Sequence, residues 1–283
     1  DLLPRPCAPG REPPGHPAPG PLALRGGGRL RWWHHERCCG WPAGGGEDHR
    51  ELCSDGLTEG EDENMSIREA EEELFAALKA VNPDTVEDGI VDEAEYLSAK
   101  IKIVYLMKEV NGGSAWSLRE FLREEAGCAT AWNPIARWTE GILSLEEEKD
   151  WNEYWMREEE TRREKMLKKI GVVNLKKTSG GGSSDRKVIY EAAKENRNFL
   201  QHQLELYKPQ IIICCGTAQI FADIFLPGRE WKCTSRGIWY YVWGGTAIIE
   251  FYHPGAHVLH CLLHYGLLDA VREIQKTEGL WRQ

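Results

Sequence analysis

Residues 208–217 read Lys-Pro-Gln-Ile-Ile-Ile-Cys-Cys-Gly-Thr, and Gln210 to Cys215 form a short, nearly unbroken apolar run rich in β-branched residues. A strand with one wet face alternates polar and apolar residues, whereas a continuous run is what a strand covered on both faces requires. Three further segments have the same character: Ile101 to Met107 (IKIVYLM), Ile170 to Leu175 (IGVVNL) and Ala247 to Tyr252 (AIIEFY). Helical patterns separate them at Leu118 to Glu125, Asn133 to Leu143, Trp151 to Lys169 and Arg186 to Tyr207. Strands alternating with helices predict an α/β fold, a parallel sheet with helices on both faces. Arg236 to Trp243, followed by Gly244-Gly245, reads as a hairpin arm leading into the last strand. Val258 to Ile274 gives a final amphipathic helix.

Working outward, Ile67, Ala70, Leu74, Ala77, Leu78 and Val81 keep helical spacing until Asn82-Pro83, and a short helix is predicted over Asp92 to Ala99. Residues 65–98 are therefore read as N-terminal helices packing on a core domain of residues 99–283. Residues 1–64 read differently, with prolines crowding Pro4 to Pro21 and glycines at Gly26 to Gly28 and Gly44 to Gly46. Such a stretch has little periodic apolar content to offset the entropy of ordering it. It is expected to be disordered or a spurious extension ahead of a natural start at Met65.

The nine cysteines show no disulfide framework, and no apolar run is long enough to span a bilayer. A cytoplasmic monomer without a membrane partner is expected. His34, His35, Cys38, Cys39 and Cys53 match no standard zinc spacing, so no metal is expected there. The formal net charge of −10 counts against a nucleic-acid partner. Its distribution leaves room for a local basic face, through Lys165, Lys168, Lys169, Lys176, Lys177, Arg186 and Lys187.

Ligands of parallel α/β sheets bind beyond the carboxyl ends of the strands. Those ends are Lys108 to Gly113, Asn174 to Lys177, Gly216-Thr217 and His253 to Gly255. Glu109 and Asn111 together offer an acceptor and an amide to a water, or else belong to an ordinary strand-to-helix turn. Asn174 ends an apolar strand, and its amide presents donor and acceptor side by side, which suits a pyrimidine edge. The bland reading is a turn asparagine. The loop Thr178 to Asp185 (TSGGGSSD) either wraps a phosphodiester, with Ser183 and Ser184 beside Lys176 and Lys177, or is a plain linker. His253, fixed by Pro254, is placed to donate to a developing oxyanion. His257, His260 and His264 recur at helical spacing and are read as helix-surface residues. Trp116 and Phe121 follow the first strand end and suit stacking, whereas Trp132, Trp138, Trp151 and Trp155 read as packing residues.

In this order the motifs resemble the uracil-DNA glycosylase superfamily, over about Ala99 to Ile274. Met107 to Gly112 is similar to the first motif of its iron–sulfur members, with Glu109 and Gly112 matching, Lys108 for a glycine and Asn111 for a proline. Lys208-Pro209-Gln210 to Ala218 is similar to the third core strand. Tyr252-His253-Pro254-Gly255 is similar to the His-Pro-Ser motif, with Gly255 for serine. Other members carry Asp or Asn where this chain has Val110, and no cysteine spacing for a cluster flanks the first motif. No cofactor is therefore expected.

The resemblance implies a three-layer αβα fold with a central four-stranded parallel sheet. It also implies excision of a flipped base from single- or double-stranded DNA, damaged DNA included. Asn174 would read the base, His253 would meet the charge on the departing base, and Glu109 or Asn111 would position water. Gly255, Ala256 and His257 would lie along the DNA. Two other functions fit the acidic composition: a module on this fold that binds nucleic acid or a nucleotide without cleaving it, and hydrolysis of a free nucleoside or other small molecule.

Overall fold

The computed structural model describes residues 65–127, 129–155 and 159–281. The reading of residues 1–64, with the His34, His35, Cys38, Cys39 and Cys53 group, lies outside the described residues.

The first helix, α1 (Ile67–Val81), starts at a reciprocal cap. The Ser66 hydroxyl accepts from the Glu69 amide at 3.2 Å, and the Glu69 carboxylate accepts from the Ser66 amide at 2.8 Å. It ends at Asn82, because Pro83 disfavours helical backbone in the residue before it. A short helix, α2 (Glu93–Ser98), follows with Asp92 as its cap.

Seven strands form one mixed sheet: β1 (Gly89–Ile90), β2 (Ile103–Met107), β3 (Ile170–Asn174), β4 (Ile211–Cys215), β5 (Lys232–Cys233), β6 (Trp239–Trp243) and β7 (Thr246–Phe251). Their order is β1-β3-β2-β4-β7-β6-β5. The central β3, β2, β4 and β7 are parallel, as the four apolar runs predict. The sheet is nonetheless wider than four strands, because β1 pairs antiparallel with β3, and β6 and β5 extend the other edge antiparallel. At two residues each, β1 and β5 are too short to leave a periodic signal.

Every residue of β2, β3 and β4 is buried, which explains their unbroken apolar character. Ile103, Tyr105, Val172, Ile213 and Phe251 join one core, while Val104, Leu106, Val173, Ile212 and Ile248 join another. The first core is closed by α3 (Leu118–Glu124), α4 (Ala129–Leu143) and α10 (His260–Glu278), through Leu122, Trp138 and Leu267. The second is closed by α7 (Arg186–Glu195), α8 (Arg197–Tyr207) and α9 (Ala218–Phe225), through Ile189, Leu204 and Phe221.

Helix boundaries differ from expectation in four places: α4 starts at Ala129 rather than Asn133, α10 runs from His260 to Glu278 rather than from Val258 to Ile274, and two expected helices are interrupted. Arg186 to Tyr207 is two helices meeting at Asn196, which caps both. The segment from Trp151 holds α5 (Trp151–Trp155), α6 (Glu159–Met166) and a 3₁₀ turn, Leu167–Lys169, that runs directly into β3. No described helix is long and apolar enough to cross a membrane.

From β2 the chain moves to β3 on one side and then to β4 on the other. That reversal opens a crevice at the carboxyl ends of β2 and β4, where ligands of such sheets bind.

Candidate functional site

Three residues meet at this crevice. Gly216, in left-handed backbone at φ +70°, closes β4, and its amide donates to the Phe251 carbonyl at 2.9 Å. The Thr217 hydroxyl donates to the Leu106 carbonyl at 2.8 Å, tying the ends of β2 and β4 together. Lys108 lies over Gly216, where a methyl group on the glycine would stand 3.6 Å from Lys108 Cε. Among the described residues Lys108 forms no salt bridge.

His253 follows β7 on the neighbouring strand. The Gly255 amide donates to His253 Nδ1 at 3.1 Å. Desolvation, and then the Lys108 ammonium, hold the imidazole pKa below its ordinary value, so the ring is neutral near pH 7. A neutral ring whose Nδ1 accepts must carry its proton on Nε2. The side chain thus offers a single N–H of fixed direction.

At the end of β3, Asn174 is only 2% exposed. Its backbone N–H and its Nδ2 donate to Asp88 Oδ2 at 2.7 and 3.1 Å. The same carboxylate takes the Lys177 ammonium at 2.7 and 2.9 Å and Gln203 Nε2 at 2.9 Å. Because the carboxylate faces the amide nitrogen, the Asn174 carbonyl oxygen and its second N–H are turned away from Asp88. Lys177, expected along DNA, is instead buried in this ion pair, and burial lowers its pKa. It cannot reach a phosphate from there. Gln203 continues through Tyr207 to Glu71, whose carboxylate pairs with buried Arg119 at 2.8 Å. Gly89 sits over this chain at φ +127°, and a methyl group there would overlap the Glu71 carboxylate and the Tyr207 hydroxyl.

Glu109 is not an open carboxylate. Lys176 Nζ contacts it at 2.6 Å and also donates to the Thr178 and Ser179 carbonyls at 3.2 and 2.7 Å. Gly180 lies directly on the Glu109 carboxylate, and its amide donates to the Val110 carbonyl at 2.8 Å. Lys176, expected along DNA, therefore serves as a bridge between Glu109 and the loop. Asn111 is exposed beside this lid and bridges to Gly180 through its backbone. The Ser179 hydroxyl donates to the Gly113 carbonyl. Ser183 and Ser184 are exposed further along, before Asp185 caps α7. Trp116 and Phe121 pack edge to face at 5.8 Å against the first core.

The loop after His253 has an apolar rim. Gly255 and His257 are exposed and Ala256 is half-buried. Beyond them Val258, Leu259 and Leu262 are 36%, 68% and 63% exposed. His264 is not a helix-surface residue: it is 1% exposed and stands 4.2 Å from the Tyr154 ring. His260 and His264 lie on α10 as their spacing predicts, whereas His257 precedes the helix, and the face of α10 that carries His264 turns inward.

The strand ends share one edge, with Met107 opposite Asn174, Leu106 opposite Cys214 and Cys215 opposite Phe251. Three strand spacings of about 4.8 Å put the ends of β3 and β7 roughly 14 Å apart. Asn174 and His253 therefore flank the crevice rather than touch. Sequence reasoning passed over Lys108, Asp88 and Leu259. Lys108 was read only as the start of a turn and as a departure from the first motif, Asp88 carries no motif, and Leu259 reads as part of an apolar helix face. No family model matches the chain, and a search of curated proteins finds no match.

Proposed function

We propose that this chain is a DNA glycosylase with a three-layer fold like that of uracil-DNA glycosylases, hydrolysing the bond between deoxyribose and uracil or a related damaged base. The observation that carries the reading is the Gly255–His253 hydrogen bond at the ligand-binding edge of the parallel sheet. A fixed, neutral N–H donor suits a leaving group that gains negative charge, because its dipole is set before the bond breaks.

In this mechanism the C1′–N bond breaks with its electron pair moving onto the base. His253 Nε2–H donates to the base oxygen that takes up that charge, and Lys108 adds positive potential beside it. A water oxygen then bonds to C1′, and the proton it loses passes to the departed base anion, leaving a sugar hydroxyl and a neutral base. Exposed Asn111 is the residue that orients this water, with Glu109 behind it as the negative end of the Glu109–Lys176 pair. Asn174, held by Asp88, keeps one carbonyl oxygen and one N–H for the pyrimidine edge. Exposed Leu259 and Leu262 suit insertion into a base stack, as apolar wedges do.

The enclosure of Glu109 by Lys176 and Gly180 favours a second reading, a module that binds a nucleic acid or nucleotide without cleaving it. Single-turnover base release from uracil-containing single- and double-stranded DNA separates the two, with His253→Ala as control. Release that depends on His253 supports the glycosylase. Binding without release supports the module. Neither outcome on uracil or other deaminated bases removes both.

A further inference from the structure

The sheet face opposite α4 and α10 holds a concavity beside α9, the helix that starts directly after Thr217. Tyr241 and Trp243 of β6 and Trp231 just before β5 pack partly exposed against the second core. Continuing the β6–β7 register places Trp239 opposite Glu250. Side chains so paired have Cβ atoms about 5 Å apart. Here α9 presents Ala218 and Ala222, one turn apart, and their small side chains leave a cavity of about 290 Å³. Its remaining walls are Gln219, Trp231, Trp239 and Glu250. Among the described residues the Glu250 side chain forms no salt bridge or hydrogen bond. Glu250 is an exposed residue of β7, and partial desolvation of its carboxyl still pushes the pKa up.

We propose that this cavity binds a quaternary or methylated ammonium group, held by the indole faces of Trp231 and Trp239 and by the carboxylate of Glu250. Indole faces attract cations more strongly than other aromatic rings, and more so where water is displaced. A partly desolvated carboxylate beside two indoles gains from a positive partner. The lining carries no cationic side chain, so a phosphate or carboxylate ligand would meet repulsion from Glu250. The volume lies at the lower edge of ordinary ligand pockets, which suits a headgroup or one side chain rather than a nucleotide.

The chain has twelve tryptophans, so bulk fluorescence would dilute the signal. Indole N–H resonances of the full chain resolve them, with Trp231→Phe and Trp239→Phe giving the assignments. Tetramethylammonium and choline should shift both resonances saturably. Choline should bind at least about tenfold more tightly than its neutral isostere 3,3-dimethylbutanol, and Glu250→Gln should remove most of that preference. A trimethyllysine peptide that binds more tightly than choline would make a protein side chain the source, and one that binds more weakly would make it a free cation. Equal affinity for choline and the isostere, no saturable shift, or a preference unchanged in a folded Glu250→Gln protein would overturn the proposal.

Discussion

The Gly255 backbone amide and His253 Nδ1 lie 3.1 Å apart in a hydrogen bond spanning two residues. The Pro254 turn thereby fixes both the ring and its tautomer. Protonating Nδ1 would set two N–H groups against each other, so the turn itself opposes the imidazolium form. Lys108 opposes it from the other side.

His253→Ala should therefore lower single-turnover base release by at least about a hundredfold, as for loss of one oxyanion donor. The pH profile gives a sharper check. The folded pKa lies below the ordinary 6.5, so the neutral ring persists at and above that value. Release should be level there and fall as pH drops through the depressed pKa. A rate that rose on acidification would assign the work to the imidazolium and refute the tautomer argument.

Lys108→Met tests the cation over Gly216. Removing the ammonium leaves desolvation alone to act on His253, so the imidazole pKa should move up toward its ordinary value. The acid limb of the rate profile should move up with it. Titration of the His253 ring proton resonances reads this without substrate, and an unmoved pKa would place Lys108 outside the site.

The strand runs and the crevice were legible because burial on both faces leaves unbroken apolar runs, and because ligand position follows from strand order. His253 was legible for the same reason, as a polar residue at a strand end before proline. What Asn174 and Lys177 contact was not. Both depend on Asp88, which is 86 residues before Asn174 and on no motif. The enclosure of Glu109 was not legible, since it comes from Gly180 folding back, and a glycine-rich loop does not announce where it lies down. His264 shows the limit of periodicity, which gives the helix but not which flank is covered.

Asp88 and Lys177 have side chains only 1% and 2% exposed. Removing one partner leaves the other buried and uncompensated, which costs about 3–5 kcal/mol. Asp88→Ala and Lys177→Met should each lower unfolding free energy on that scale in urea titrations. The double variant should recover part of the loss. Additive losses would show that the two residues act through separate contacts.

His264 carries its own pH signature. Burial first, and then Arg137, Arg162 and Arg272, hold its pKa at about 4, against 6.5 for the free ring. Its folded pKa is depressed, so its contribution is present above pH 6.5 and is lost as pH falls through about 4. The difference amounts to about 3 kcal/mol. Neither ring nitrogen has a hydrogen-bond partner among the described residues, so His264→Phe deprives nothing of a partner. That variant should be near neutral at pH 7 and should flatten the acid loss of stability. An unchanged acid slope would move its origin to the carboxylates.

Leu259 tests whether the apolar rim meets a base stack. At 68% exposure its side chain contributes little to the core, so Leu259→Ala should leave folding stability within about 0.5 kcal/mol. Its effect on release should depend on the substrate. Extruding a base from a duplex costs a few kcal/mol of stacking and pairing, and less from a single strand. A side chain that fills the gap offsets part of that cost only in the duplex. Release from duplex DNA should fall about tenfold, with release from single strands nearly unchanged. Equal losses on both would make Leu259 a general contact, and no loss on either would leave the rim without a role in extrusion.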